Sequence, residues 1–148
     1  VSTGTKPSNP KAAIGAAKQP LSLVPDTLDI YASLGFLEGA LKYGRYNWRA
    51  AGVRASTYRD ALERHLAKWW NGEWADPVTK VPHLANAICC LAILVDAHEA
   101  KMLNDDRPPS QLSLGETMEK NMEIIAHLKE LFKDANPHQY TIADSVVP

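Results

Sequence analysis

The segment from Leu84 to Val95 leaves this chain least choice of fold. Leu84, Ala85, Ala87, Ile88, Cys89, Leu91, Ile93 and Leu94 place apolar side chains on every side of a helix drawn through it. A helix that is hydrophobic all round sits in the middle of a bundle or at a subunit interface. The run contains Asn86 and is far shorter than the ~20 residues a membrane span needs. It therefore predicts a central helix from about His83 to Met102 and no membrane association.

The rest of the chain supplies helices to pack around it. Ile30, Leu34, Leu37 and Leu41 recur at helical spacing, which predicts a helix from about Thr27 to Tyr43, ended by Gly44. Ser56 or Thr57 is the expected cap of a second helix, with Tyr58, Leu62, Leu66 and Trp69 on its buried side and a stop near Asn71-Gly72. A fourth helix, about Ser113 to Lys133, carries Met118, Met122, Ile125, Leu128 and Phe132 on one stripe and charge on the other side. No stretch shows strand-type alternation. The fold expected is all-α, a bundle of about four helices. Residues 1–25, rich in Ser, Gly, Lys and Pro, read as an extended arm, residues 26–135 as the domain and residues 136–148 as a tail. The apolar third helix and the amphipathic fourth predict a homo-oligomer, a dimer or tetramer.

With 148 residues there is room for one core, and a formal net charge of -1 argues against a nucleic-acid partner. The 2 cysteines, Cys89 and Cys90, are adjacent and read as buried small hydrophobes in a reducing compartment. No charged-then-apolar start suggests a signal peptide. The expected location is the cytoplasm.

Binding chemistry concentrates at Lys42-Tyr43-Gly44-Arg45-Tyr46-Asn47-Trp48-Arg49, with three cations, three aromatics and an amide around one glycine. Two readings stand. The aromatics can plug the bundle while the cations complement the helix dipole. Alternatively the group suits a nucleotide, because no acid lies in the stretch to pair with the cations. Lys42, Arg45 and Arg49 would meet phosphates, Trp48 and the tyrosines would stack on the ring, and Asn47 would select the base edge.

Downstream, Asp60 and Glu63 share a helix face, and Arg64 and His65 follow. Glu73 and Asp76 stand three apart in the next turn, and His83 and Asn86 open the third helix. Folded as an antiparallel pair, these helices could gather Asp60, Glu63, Glu73, Asp76 and His83 into an oxygen-rich site for Mg²⁺ or Mn²⁺. The competing reading is an Asp60–Arg64 helix pair, a solvated Glu63 and scaffold histidines. Zinc has no supporting ligand spacing.

Taken together, Asn9-Pro10-Lys11, Gly39-Ala40-Leu41-Lys42-Tyr43-Gly44, Asn47-Trp48-Arg49, Tyr58, Asp60-Ala61, Arg64-His65-Leu66, Gly72-Glu73, Asp76 and His83-Leu84-Ala85 resemble a known family over roughly residues 9–96. The chain is similar to the phage dATP/dGTP diphosphohydrolases, themselves similar to the MazG-type all-α nucleoside triphosphate pyrophosphohydrolases. The resemblance implies cleavage of a (deoxy)nucleoside triphosphate to the monophosphate and pyrophosphate with a divalent metal, in phage control of purine pools, and so in the cytoplasm of an infected cell. The MazG pattern Glu-Glu-x-x-Glu becomes Asp60-x-x-Glu63-Arg64-His65 here, and His83-x-x-Asn86 stands where Glu-x-x-Asp is expected. On this reading Lys42, Tyr43, Asn47, Trp48, Arg49 and Arg64 bind the nucleotide. Asp60, Glu63, Glu73, Asp76 and His83 hold metal, and His65, Glu73 and Arg64 act in catalysis. The rivals are a nucleotide-binding sensor or sponge without catalysis, and a structural helical oligomer.

Overall fold

A computed structural model describes residues 9–110 and 112–146 of the chain. The element order is α1 (Pro10–Gly15), α2 (Asp26–Tyr43), α3 (Asn47–Ala51), β1 (Val53–Arg54), α4 (Ala55–Trp70), α5 (His83–Glu99), β2 (Leu103–Asn104) and α6 (Leu114–Leu131). Single 3-10 turns lie at Leu21–Leu23 and Ile142–Asp144. The four long helices stand where the 3.6-residue period predicts them, and the fold is all-α. Besides the short helices α1 and α3, the described residues add a two-residue parallel pair, Val53 beside Leu103 and Arg54 beside Asn104, too short for any alternation to reveal. No helix among the described residues is long and apolar enough to cross a membrane.

The core is α5 with α2 against one side and α4 against another. Its buried apolar residues are small: Ala32 of α2, Ala55 of α4, and Ala85, Ala87, Cys89, Cys90 and Ala97 of α5, with Val53 beside them. Small side chains let the helix backbones approach closely. Gly35 marks a close approach of α2 to α5. A β-carbon there would stand 2.6 Å from Cys89 Sγ and 2.7 Å from Asn86 Oδ1. The Cys89 thiol also donates to the Ala32 carbonyl at 3.1 Å. Both cysteines are free and buried, and burial pushes Cys89 up to about 12, so its thiol stays protonated at neutral pH.

Local chemistry moves several boundaries. α5 ends at Glu99, three residues before the expected Met102. Lys101 adopts a left-handed φ of 58°, Met102 N–H bonds to Ala97 O and Lys101 N–H to His98 O. This is a Schellman closure with lysine at the place glycine usually occupies, which hides the stop from the sequence. α4 begins at Ala55, with no side-chain cap of its own. Ser56 does not cap it. Its backbone N–H and its hydroxyl both donate to the Asp106 carboxylate, which brings negative charge to the helix N-terminus from 50 residues away. In the arm, residues 1–8 lie outside the described residues, and the rest holds α1. Asn9 Oδ1 accepts from Lys11 N–H and Pro10 occupies the first turn, so Asn-Pro-Lys is a helix start. Residues 136–146 of the tail hold the Ile142–Asp144 turn, and residues 147 and 148 lie outside the described residues.

The helix α6 contributes no buried residue: all of its positions are exposed, including Met118, Met122, Ile125 and Leu128. α2 likewise keeps Ile30, Leu34, Leu37 and Leu41 exposed.

Candidate functional site

A groove of about 1290 Å³ runs between the C-terminal half of α2, the 44–49 loop and α3, the middle of α4, and α5. It is lined by Lys42, Tyr43, Asn47, Trp48, Arg49 and Arg64, all six of the expected nucleotide contacts, and also by His65 and Asp76. Gly44 at φ 89° and Tyr46 at φ 55° let the chain reverse after α2 and start α3 at Asn47, which brings the aromatic-cationic stretch back over α5. The close approach of α3 to the end of α5 is stitched by Val53 N–H to Met102 O at 3.0 Å.

No acid lies within the stretch, but acids from outside it pair with two of its cations. Asp96, the first acid after the apolar run of α5, accepts from Arg49 Nε at 2.8 Å, Arg49 Nη2 at 2.7 Å and Trp48 Nε1 at 2.6 Å. The Arg49 bonds first, and then the Trp48 bond, hold the Asp96 carboxyl at about 2. Arg49 also lies 5.1 Å from the Tyr46 ring centre, and Trp48 packs against Phe36 and Tyr46 at 5.5 and 5.2 Å. Lys42 sits 3.4 Å from Glu38, one helical turn back. Among the described residues, Arg45 and Arg64 carry no ion pair, which leaves them as the free positive charge on the groove. Glu38 and Asp96 were not singled out from the sequence. The i,i+4 spacing to Lys42 was a usable signal for Glu38, whereas Asp96 lies 47 residues from Arg49 and had none.

Because Asp96 holds both Arg49 and the Trp48 indole, Asp96→Ala is expected to red-shift the tryptophan emission. An emission spectrum identical to the unaltered protein would mean that the aromatic neighbours alone hold the indole.

The five-residue metal cluster is not assembled. Among the described residues, no group of three or more His, Cys, Asp or Glu side chains stands ready to hold a metal ion. Asp60 and Glu63 lie outside the groove lining, on the exposed side of α4, and Glu63 pairs with Arg59 at 3.0 Å. One turn of α4 carries two faces: residues 61, 64 and 65 look into the groove while 60 and 63 look away, a separation that shared three-residue spacing does not reveal. Asp76 does line the groove. Its Oδ1 accepts from the backbone N–H groups of Thr79 and Val78, which lower its pKa and fold the 76–80 turn.

Glu73 and His83 meet each other. Glu73 Oε1 is 2.7 Å from His83 Nε2, and His83 Nδ1 is 3.1 Å from His65 Nδ1. His83 is fully buried, Glu73 is half exposed and His65 lines the groove. The turn that joins α4 to α5 makes this possible. An antiparallel bridge from Ala75 to Pro82 and the His83 N–H to Trp74 O bond at 2.9 Å close it, setting Glu73 beside the start of α5. Burial first, then the neighbouring His83 imidazole and the positive charges of Lys68 and Arg64, lower the pKa of His65, so its ring is neutral at pH 7.

The sequence profile of a family described as dATP/dGTP diphosphohydrolase, N-terminal, matches residues 8–107, which contain α1 through β2 and the whole groove lining. No curated protein and no solved structure matches the chain.

Proposed function

The chain belongs to the dATP/dGTP diphosphohydrolase family, and on that premise we propose that it hydrolyses a purine (deoxy)nucleoside triphosphate to the monophosphate and pyrophosphate. The observation that carries this reading is the convergence of six nucleotide-type contacts with a neutral histidine and a carboxylate on one groove. Arg45, Arg64 and the loosely paired Lys42 face the triphosphate, since phosphoryl transfer is mostly positioning and electrostatics. Asn47 and Trp48 select and hold the base. His65 takes the proton of the attacking water.

The donor chemistry fits a hard cation completed by phosphates and water, and not a cage built by the protein alone. Mg²⁺ commonly takes one or two carboxylates and fills its remaining positions with phosphate oxygens and water. Asp76 is the carboxylate we assign to it, with Glu38 as the second acid on the groove. When bound, Mg²⁺ or Mn²⁺ supplies neutralisation of phosphate charge and a more acidic water.

A second copy of the chain is the partner we propose for the exposed apolar faces of α2 and α6. Most helical stability in proteins comes from packing an apolar face, and α6 has no buried residue within its own chain. Both faces belong to every copy, as a symmetric interface requires, and a formal charge of -1 opposes association little. Light scattering should give a multiple of 16.3 kDa; a monomer at micromolar concentration would reject the assembly. The setting proposed is the cytoplasm of a phage-infected cell, in control of purine pools.

The test of the reaction is a panel of all nucleoside triphosphates with Mg²⁺ or Mn²⁺ and the products resolved. Pyrophosphate and a purine monophosphate are expected. The placement of Asp60 and Glu63 on the exposed side of α4, away from the groove lining, favours one alternative, a non-catalytic purine sensor or sponge. Tight binding with no turnover under any metal would select it.

A further inference from the structure

Two imidazole Nδ1 atoms that face each other at 3.1 Å can share only one hydrogen, so one ring must donate and the other accept. The third member of the chain decides which. An ionised Glu73 only accepts, so His83 must carry its hydrogen on Nε2 to make the 2.7 Å bond. A neutral His83 is then unprotonated at Nδ1. His65 must donate from its own Nδ1, and its Nε2 is left with a free lone pair. The opposite polarity needs a second proton on His83, a cation at a fully buried position beside another imidazole.

We propose that Glu73 and His83 are positioning residues that lock His65 in the tautomer whose Nε2 accepts a proton at the groove. The inference rests on the hydrolase reading for its catalytic consequence, and on geometry alone for the tautomer. In the reaction the proton of the attacking water passes to His65 Nε2. The water oxygen forms a bond to the α-phosphorus, and the bond from that phosphorus to the bridging oxygen breaks. The pyrophosphate leaves with the electron pair. The imidazolium formed on His65 keeps its Nδ1 hydrogen on His83, whose other nitrogen faces the Glu73 carboxylate, so positive charge develops toward a fixed acceptor chain. His65 Nε2 makes no hydrogen bond among the described residues, which leaves it open for this role.

The experiment is two-bond ¹H–¹⁵N correlation NMR of the full chain at pH 7.5, with His65 assigned by the signal lost in His65→Gln. The expected spectrum shows His65 protonated at Nδ1 and bare at Nε2. In Glu73→Ala the lock is released and His65 shows both tautomers, while kcat falls about 10–100-fold with KM nearly unchanged. Protonation of His65 at Nε2 in the unaltered protein, or a Glu73→Ala enzyme with unchanged kcat, overturns the proposal. If Glu73→Ala does not fold, the unaltered spectrum decides the polarity by itself. Absence of any triphosphate turnover would defeat the hydrolase reading and leave the tautomer result standing.

Discussion

Replacing His65 by alanine is expected to lower kcat for triphosphate hydrolysis by about 10²–10⁴-fold, the usual contribution of a positioned general base, with little change in KM. His65 lines the groove through α4, half-buried, while the cations and Trp48 proposed to hold the nucleotide lie on other positions. Removing the ring therefore takes away the proton acceptor and leaves the binding surface. The depressed pKa of His65 has a signed consequence. Activity should hold from pH 8 down past the ordinary histidine value of about 6.5 and fall only when His65 itself protonates. Acid also destabilises the fold through the same group, because the unfolded chain binds that proton first. His65→Ala should remove the acid limb of kcat. A kcat within threefold of the unaltered enzyme would mean that another group takes the proton, and Asp76 would be the next to test.

Gly35→Ala should carry a large stability penalty for a single added methyl. The added carbon would lie 2.6 Å from Cys89 Sγ and 2.7 Å from Asn86 Oδ1, well inside contact distance. Both neighbours are short side chains on the central helix. Cys89 is also anchored to the Ala32 carbonyl, so it cannot rotate away without losing that bond. Relief comes from turning Cys89 and Asn86 or from moving α2 off α5, at a cost of about 1–3 kcal/mol for overpacking. For a domain of this size that is a fall in melting temperature of several degrees. Gly35 also lines the groove, so nucleotide affinity should drop along with stability. A thermal melt indistinguishable from the unaltered protein would show that the two helices are not held as closely as this contact requires.

The candidate site was legible to different depths. Lys42 through Arg49 stood out because eight consecutive residues carry the chemistry, and a turn at Gly44 needs only local backbone freedom. Arg64 and His65 were reached from their place after Asp60 and Glu63 on the same helix. The metal set failed at Asp60 and Glu63 because three-residue spacing puts two side chains on one helical face without saying which face the rest of the protein will cover. The short Asp60–Glu63 interval was compatible with the groove and with solvent, and solvent is where those residues lie. Asp96 escaped notice because its worth depends on Arg49 and Trp48, which reach it only after α3 folds back on α5.

From the amino-acid order alone came the all-α class, the four long helices, the apolar centre at α5 and the place where cations and aromatics gather. Each of these is written in neighbours within one or two turns, where period, capping and glycine act directly. Tertiary structure decided the pairings: Arg49 with Asp96, Ser56 with Asp106, and the file of Glu73, His83 and His65. Those partners lie 10 to 50 residues apart, and their chemistry arises from distances that only the packing of α2, α4 and α5 sets. Two histidines and a glutamate carry no order of protonation until a buried ring stands between the other two.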